Sequence, residues 1–428
     1  MRFFYFYKMK IEDLYQLYSI HGLVDTDTRN IRHNTMFFAL KGENFNGNKF
    51  AEEAIANGAS YAVIDEAAYN TSEKIILVDD VLETLQKLAN YHRNQLGLPI
   101  IALTGSNGKT TTKELINTVL STKYKTTATI GNLNNHIGVP LTLLSMNKDT
   151  EIGIVEMGAN HHKEIAFLSE IAAPDYGYIT NFGSAHLEGF GSLEGVVKAK
   201  SELYDYLRKH NKKVIVNPND AKQIEHTKGM DSVLFNKDIK FLDADPLVRF
   251  SYQDKTITSN LIGVYNFANI SAAITIGDYF DVTSEQIKQA IENYIPSNNR
   301  SQVIKKDNNT VILDAYNANP TSMKAALESF EVLKATHKTI IMGDMFELGT
   351  YSSTEHQNIV NIAKELNFNN VFLVGENFYK TNTEFKKFKK FKTYSELAEY
   401  LKFNPMNKST ILVKGSRGMA LERVVEYC

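Results

Sequence analysis

The sequence predicts an α/β chain in three units: a small α/β unit over 1–97, a central unit with a mostly parallel sheet over 98–298, and a doubly wound unit over 299–428. Three observations predict it. The chain has 428 residues, and at roughly 100–200 residues per domain that length divides into two to four units. Short continuous apolar runs alternate with segments of helical period, as in parallel strands covered on both faces. Two breaks, Gly97-Leu98-Pro99 and Ser297-Asn298-Asn299, interrupt the alternation and read as hinges.

In the first unit, 36–40, 61–64 and 75–78 read as short strands, and 81–95 has helical spacing that ends at the first break. KIEDLYQLY, from Lys10, opens the first helix, and Met9 is a candidate start. The preceding aromatic stretch is too short and too interrupted for a signal peptide's apolar core. In the central unit, 100–103, 152–156 and 176–180 read as buried strands, and 109–120 as a helix. In the third, strands at 311–314, 339–342, 371–374 and 410–414 alternate with helices.

Composition is that of an ordinary globular protein, 43% hydrophobic and 22% charged. The formal net charge of −2 gives no electrostatic case for nucleic acid or an anionic membrane. Lys386, Lys387, Lys389, Lys390 and Lys392 are interleaved with phenylalanines and read as a solvated, snorkelling face. The single cysteine, Cys428, excludes an internal disulfide framework and fits a reducing cytoplasmic compartment. No stretch approaches the roughly 18 apolar residues of a membrane span. No nucleic acid, no membrane insertion and a monomer are therefore expected.

The chemistry begins at IIALTGSNGKTTTKE, residues 100–114. An apolar strand breaks into a glycine loop that opens a helix, so backbone amides and the helix dipole face an anion. Gly105 and Gly108 supply the turn, Lys109 a reach to outer phosphates and Thr110 a magnesium-binding hydroxyl. The usual P-loop pattern places its first glycine where Leu103 stands. Further on, Glu156 ends a strand and faces the ligand crevice, where it is suited to a magnesium ion. His186 follows the next strand, and the helix after it carries Lys198 and Lys200. A buried neutral lysine amine near a divalent cation is able to take up carbon dioxide as a carbamate.

TGSNGKTT, EMGAN, NFGSAHLEGFGS with AKSEL, YNFANISAA, DAYNANP, MGDMFELG and VKGSRGM occur in this order. Together they resemble the Mur ligase family of peptidoglycan synthesis, over nearly the whole chain. DAYNANP, MGDMFELG and KGSR resemble its D-alanyl-D-alanine-adding branch. The resemblance implies a UDP-binding first domain, a central P-loop-type ATPase domain and a C-terminal Rossmann-like domain that closes on ATP. It implies ATP-driven amide formation between UDP-N-acetylmuramoyl-tripeptide and D-alanyl-D-alanine through an acyl phosphate. Leu103 is then expected, because the family's TGxxGKT loop lacks the first glycine.

The same resemblance assigns residues. Thr104, Gly105, Asn107, Gly108, Lys109, Thr110 and Thr111 would hold ATP, with Lys109 on the β- and γ-phosphates. Thr110 and Glu156 would hold one magnesium ion, and His186 with a carbamylated Lys200 a second. Lys198 is the rival for carbamylation, but AKSEL matches the family's lysine at Lys200. Asn266 and Asn269 would sit near the adenine, after Tyr265, where the family often has histidine. Arg300 and Asp314 would reach the phosphates and ribose on closure. Thr28, Arg29, Lys41 and Gly42 resemble the UDP-binding elements, and Asn134 and Asn135 a substrate-facing loop. Tyr316, Asn317, Asn319, Lys414, Ser416 and Arg417 would line the D-alanyl-D-alanine side. The asparagines at 134, 135, 317 and 319 read equally as turn residues. Glu347 reads as structural, within an amphipathic first turn.

Two other readings stay open: a ligase of the superfamily that adds a single amino acid, and a non-catalytic nucleotide-binding assembly protein. The DAYNANP strand end weighs against the first, and intact Lys109, Glu156, His186 and Lys200 against the second. A P-loop transporter ATPase or GTPase is disfavoured by the absent first glycine.

Overall fold

The computed structural model describes residues 9–297 and 299–428. The aromatic start and Asn298, the middle of the expected second hinge, lie outside the described residues. The first unit is built on a four-stranded parallel sheet ordered Val24–Asp25, Met36–Phe38, Tyr61–Ile64, Ile75–Leu77. The central sheet has six parallel strands, ordered Ser232–Leu234, Lys213–Val216, Tyr176–Ile179, Ile100–Thr104, Ile152–Glu156, Thr126–Ala128. The third sheet is ordered Gln302–Lys306, Asn309–Asp314, Thr410–Lys414, Lys338–Gly343, Asn370–Val374, Phe388–Phe391. Only its first strand is antiparallel.

The expected strands form because their apolar runs are buried on both faces: every residue of Ile100–Thr104 and Ile152–Glu156 is buried. The crevice of a doubly wound sheet lies beyond the carboxyl ends of its strands. In the central sheet those ends are Thr104, Glu156 and Ile179, on adjacent strands. In the third sheet Asp314 and Lys414 are paired in register at the same end.

A three-stranded antiparallel sheet, Lys240–Ala244, Leu247–Tyr252 and Lys255–Ile262, is an element the sequence reading did not foresee. The lysine-rich segment is an edge strand. Phe388 and Phe391 turn into the core, while Lys389 lies 4.3 Å from the Tyr400 ring centre and Lys390 Nζ donates to Thr381 O at 2.9 Å. The snorkelling reading holds, with a strand as its scaffold. Among the described residues no helix is long and apolar enough to cross a membrane.

The helix Val81–Leu96 starts on an Asp80 cap and ends at Gly97, in left-handed backbone at φ 62°. It is fastened to the central unit along its length. Gln86 Nε2 donates to His136 O, Asn90 Nδ2 to Glu170 O and Ile171 O, and Arg93 Nε to Ala173 O, all at 2.9–3.0 Å. Arg93 Nη2 also lies 2.6 Å from Asp175 Oδ2, which accepts from the Ile100 amide that begins the phosphate-loop strand. The break at Gly97 thus follows a helix that already belongs to the packing of the central unit.

Arg93→Ala removes the donor from the Ala172 and Ala173 carbonyls, while Asp175 keeps Lys212 Nζ and the Ile100 amide, so it is expected to cost roughly 1–3 kcal/mol. Urea unfolding monitored by circular dichroism measures this, and an unchanged midpoint would show that the Arg93 contacts are not structural.

Candidate active site

A cleft of about 550 Å³ opens at the strand ends of the central and third sheets. The phosphate loop forms one wall. Gly105 has φ 140°, and a Cβ there would lie 2.0 Å from Thr180 Oγ1. Gly108 has φ 78°, and its Cβ would meet Asn269 Oδ1 at 2.6 Å. Both positions need glycine for conformation and for space. Leu103 is fully buried in the sheet and accepts from the Met157 amide, so the position where a P-loop has its first glycine is a core position here.

The loop is clamped from the next strand end. The Ser106 amide donates to Asn181 O at 3.1 Å and the Asn107 amide to Asn181 Oδ1 at 3.2 Å. Thr180 Oγ1 donates to Asn107 O at 2.6 Å, and Ser106 Oγ to Gly183 O at 2.7 Å. Thr180 and Asn181 were not among the expected site residues, although they sit where the strand-end rule points. Thr104 and Thr111 are buried beside the loop. Lys109 Nζ donates to Gly105 O at 2.7 Å and Ser106 O at 3.3 Å, and burial lowers its pKa.

Glu156 is 1% exposed. Its Oε1 accepts from Thr110 Oγ1 at 3.2 Å and from Asn134 Nδ2 at 2.8 Å. Its Oε2 is buried with no partner among the described residues. A buried carboxylate with a free oxygen beside a threonine hydroxyl is a donor set suited to a hard divalent cation. No group of three or more His, Cys, Asp or Glu residues gathers as a complete metal site among the described residues.

His186 lines the same cleft, with φ 52° and Nδ1 2.5 Å from Glu347 Oε2. The two atoms are close but not aligned as a hydrogen bond. His186 holds the Glu347 carboxyl below its usual pKa. Glu347 lies in a loop with φ 62°, not in a helical turn, and sequence reasoning gave it no part in the site. Lys200 is fully buried behind the cleft wall. Its Nζ donates to Ala159 O at 3.1 Å and lies 5.0 Å from the Phe190 ring centre. Burial, and then the charge of Lys109, push its pKa well down. Lys198 is exposed, which separates it from Lys200 as a candidate amine.

Asn266 and Asn269 line the cleft and brace the loop helix: Asn269 Nδ2 donates to Asn266 Oδ1, and Thr112 Oγ1 to Asn269 Oδ1. Tyr265 OH lies 3.1 Å from Ser301 Oγ, and desolvation raises its pKa. The Arg300 guanidinium stacks 3.6 Å from the Tyr316 ring centre, and its buried Nε has no partner among the described residues. Asp314 Oδ2 accepts from Lys414 Nζ at 2.5 Å, and Oδ1 from the Ser301 amide.

The asparagines divide. Asn135 Oδ1 accepts from the Ile137 and Gly138 amides, and Asn317 Oδ1 from the Ala318 amide, both local turn bonds. Asn319 caps the helix Pro320–Glu331, and its Nδ2 also donates to Asn107 Oδ1 at 2.7 Å, joining the third unit to the phosphate loop. All three line the cleft with Tyr316 and Lys414. Ser416 lies outside the lining, its Oγ accepting from the Phe346 amide, and Arg417 packs its guanidinium near Tyr316. The first-unit candidates are also elsewhere. Thr28 and Arg29 form a turn in which Arg29 pairs with Asp27, and Lys41 pairs with Asp65 at 3.0 Å, beside Gly42 in a two-stranded ribbon.

Family models cover the chain in three pieces. Residues 19–93 match "Mur ligase family, catalytic domain", 103–277 "Mur ligase middle domain" and 299–417 "Mur ligase, glutamate ligase domain". The UDP-N-acetylmuramoyl-tripeptide--D-alanyl-D-alanine ligase of Bacillus subtilis is 36% identical, over 96% of this chain and 94% of its own. The solved MurF from Acinetobacter baumannii superposes with a TM-score of 0.84 at 32% identity, covering 94% of this chain and 92% of that one. The MurF ligase from Thermotoga maritima, in complex with ADP, gives 0.83 at 27% identity, covering 95% and 96%.

Gly105→Ala is expected to weaken binding of an ATP analogue at least tenfold while the chain stays folded, because the new Cβ collides with Thr180. Calorimetric titration checks it, and unaltered affinity would mean that the loop is not the phosphate cradle.

Proposed function

The chain belongs to the Mur ligase family, and from that premise we infer that it joins D-alanyl-D-alanine to UDP-N-acetylmuramoyl-tripeptide with ATP, giving the pentapeptide precursor of peptidoglycan. It is an ATP-dependent ligase. The observation that carries the assignment is a likeness to a ligase of this specificity over nearly the whole chain, in a protein whose phosphate loop and third-unit strand ends share one cleft.

A peptide carboxylate resists attack by an amine because it is negatively charged and has no leaving group. In our reading, its oxygen attacks the γ-phosphorus of ATP, and ADP leaves. The amine of D-alanyl-D-alanine then attacks the acyl phosphate, and phosphate departs as the C–N bond forms. Lys109 faces the β- and γ-phosphates and releases the loop carbonyls it now holds. Arg300, held over the Tyr316 ring with its Nε unpaired among the described residues, meets the phosphates from the opposite wall. The Asp314 carboxylate is fixed by Lys414 and reaches the ribose. Thr104, Gly105, Asn107, Gly108 and Thr111 frame the phosphates, with Asn266 and Asn269 at the base side. We place UDP on the first unit at Thr28, Arg29, Lys41 and Gly42. Asn134 and Asn135 flank the tripeptide end, and Tyr316, Asn317, Asn319, Lys414, Ser416 and Arg417 surround D-alanyl-D-alanine.

Magnesium, when bound, neutralises charge on the transferring phosphate. The donor set of Thr110 and Glu156 fits one ion, and His186 with a Lys200 carbamate would hold a second. The depressed pKa of Lys200 supports the carbamate, since only a neutral amine takes up carbon dioxide. The three working units are 1–97, 98–298 and 299–428, acting as a cytoplasmic monomer. Closure of the third over the cleft excludes water from the acyl phosphate.

Phosphate release from Mg-ATP and UDP-N-acetylmuramoyl-tripeptide should require D-alanyl-D-alanine, with the pentapeptide found by mass. Release only with a single amino acid would move the chain to another branch, and no release with any pair would leave a nucleotide-binding protein without catalysis. Lys109→Ala should abolish turnover with the fold intact, and near-normal rates would remove the lysine from the phosphate site. Lys200→Ala should be severely impaired and partly rescued by small carboxylic acids, whereas full activity without them would contradict the carbamate.

A further inference from the structure

We propose that Glu347 is the positioning residue for His186, delivered by the third unit, so that His186 is held for metal binding only while that unit is docked on the central one. The proposal rests on the reading of His186 as a metal-binding residue. The two side chains come from different sheets and meet at 2.5 Å, on the Nδ1 side of the ring. A carboxylate on one imidazole nitrogen fixes the ring's orientation and leaves the other nitrogen's lone pair for a cation. His186 lines the cleft that also holds the unpartnered Glu156 Oε2.

Glu347 is carried by a frame built to hold it. Its φ of 62° is a left-handed conformation that a residue with a long side chain adopts only when its surroundings impose it. On one side, the Asp344 carboxylate accepts from the Asn377 and Phe378 amides at 2.9 Å each. The Met345 amide donates to His356 Nε2 at 3.0 Å, and the Phe346 amide to Ser416 Oγ at 2.9 Å. On the other side the loop is seated on the central unit: the Glu188 amide donates to Glu347 O at 3.2 Å, and Tyr351 OH to Gly191 O at 3.2 Å. Glu347 reaches His186 as part of this docked loop, so undocking removes the carboxylate and the ring's restraint together.

The test uses the full-length chain with a non-hydrolysable ATP analogue, and follows Mn²⁺ binding by the electron paramagnetic resonance signal of the free ion. His186→Ala defines the His186-dependent affinity. Glu347→Ala should weaken that affinity by roughly tenfold or more, add nothing further in the His186→Ala background, and lower kcat with little change in KM for ATP. Glu347→Gln, which preserves size, should fall between wild type and Glu347→Ala. Loss of affinity in His186→Ala with none in Glu347→Ala overturns the positioning role alone. Independent, additive losses in the double variant assign Glu347 to docking and also overturn it. If His186→Ala keeps full Mn²⁺ affinity, the metal reading of His186 fails, and the proposal with it.

Discussion

The Glu156 carboxylate is the point on which the site depends. One oxygen ties the phosphate-loop hydroxyl of Thr110 to Asn134, and the other is buried with no protein partner. Burying a carboxylate is costly unless it is paired, so the bond to Thr110 and the nearness of Lys109 bear on stability as well as function. The strand Ile152–Glu156 puts that carboxylate beside the loop because it pairs in parallel register with Ile100–Thr104. The same register aligns Thr104 with Ile179 on the other flank, which brings Thr180 and Asn181 under the loop. The parallel sheet thus fixes where the loop amides and the candidate metal-binding oxygen stand relative to each other.

A ligase that makes an acyl phosphate has to gather three substrates and keep water out. The third unit contributes to both needs through contacts that cross to the central one. Asn319 bonds Asn107, the Ser184 amide bonds Thr321 Oγ1 at 2.8 Å, and Glu347 meets His186. These polar contacts lie beside apolar packing, since one buried cluster includes Phe182 and Leu187 of the central unit with Ala318 and Leu348 of the third. The first unit is joined differently. Its last helix is pinned to the central unit by Arg93 and Asn90, and Tyr18 OH donates to Leu144 O at 2.7 Å.

Much of this was legible in the sequence, for a physical reason. Parallel strands buried on both faces leave unbroken apolar runs, so Ile100–Thr104, Ile152–Glu156, Lys338–Gly343 and Thr410–Lys414 were found close to their observed bounds. The antiparallel sheet was not. Its strands Leu247–Tyr252 and Lys255–Ile262 alternate in burial, and their turn uses Gln253 and Asp254 at φ 45° and 59° where glycine or asparagine would have signalled a hairpin. Thr126–Ala128 is three residues with little apolar content. Within the site, residues in contiguous motifs were readable, because a loop and the helix it opens are local. Pairs between units were not. Nothing near Glu347 in sequence points to His186, and Asn319 could be read as a turn residue or as a site residue, whereas the folded chain uses it to cap a helix and to bridge to Asn107.

The central claim is that ATP activates the peptide carboxylate by phosphorylating it. The most direct measurement uses UDP-N-acetylmuramoyl-tripeptide carrying ¹⁸O in its terminal carboxylate, with the released phosphate analysed by mass after turnover with D-alanyl-D-alanine. The account predicts one carboxylate oxygen transferred to each phosphate formed. Phosphate free of ¹⁸O, with pentapeptide still produced, would contradict it.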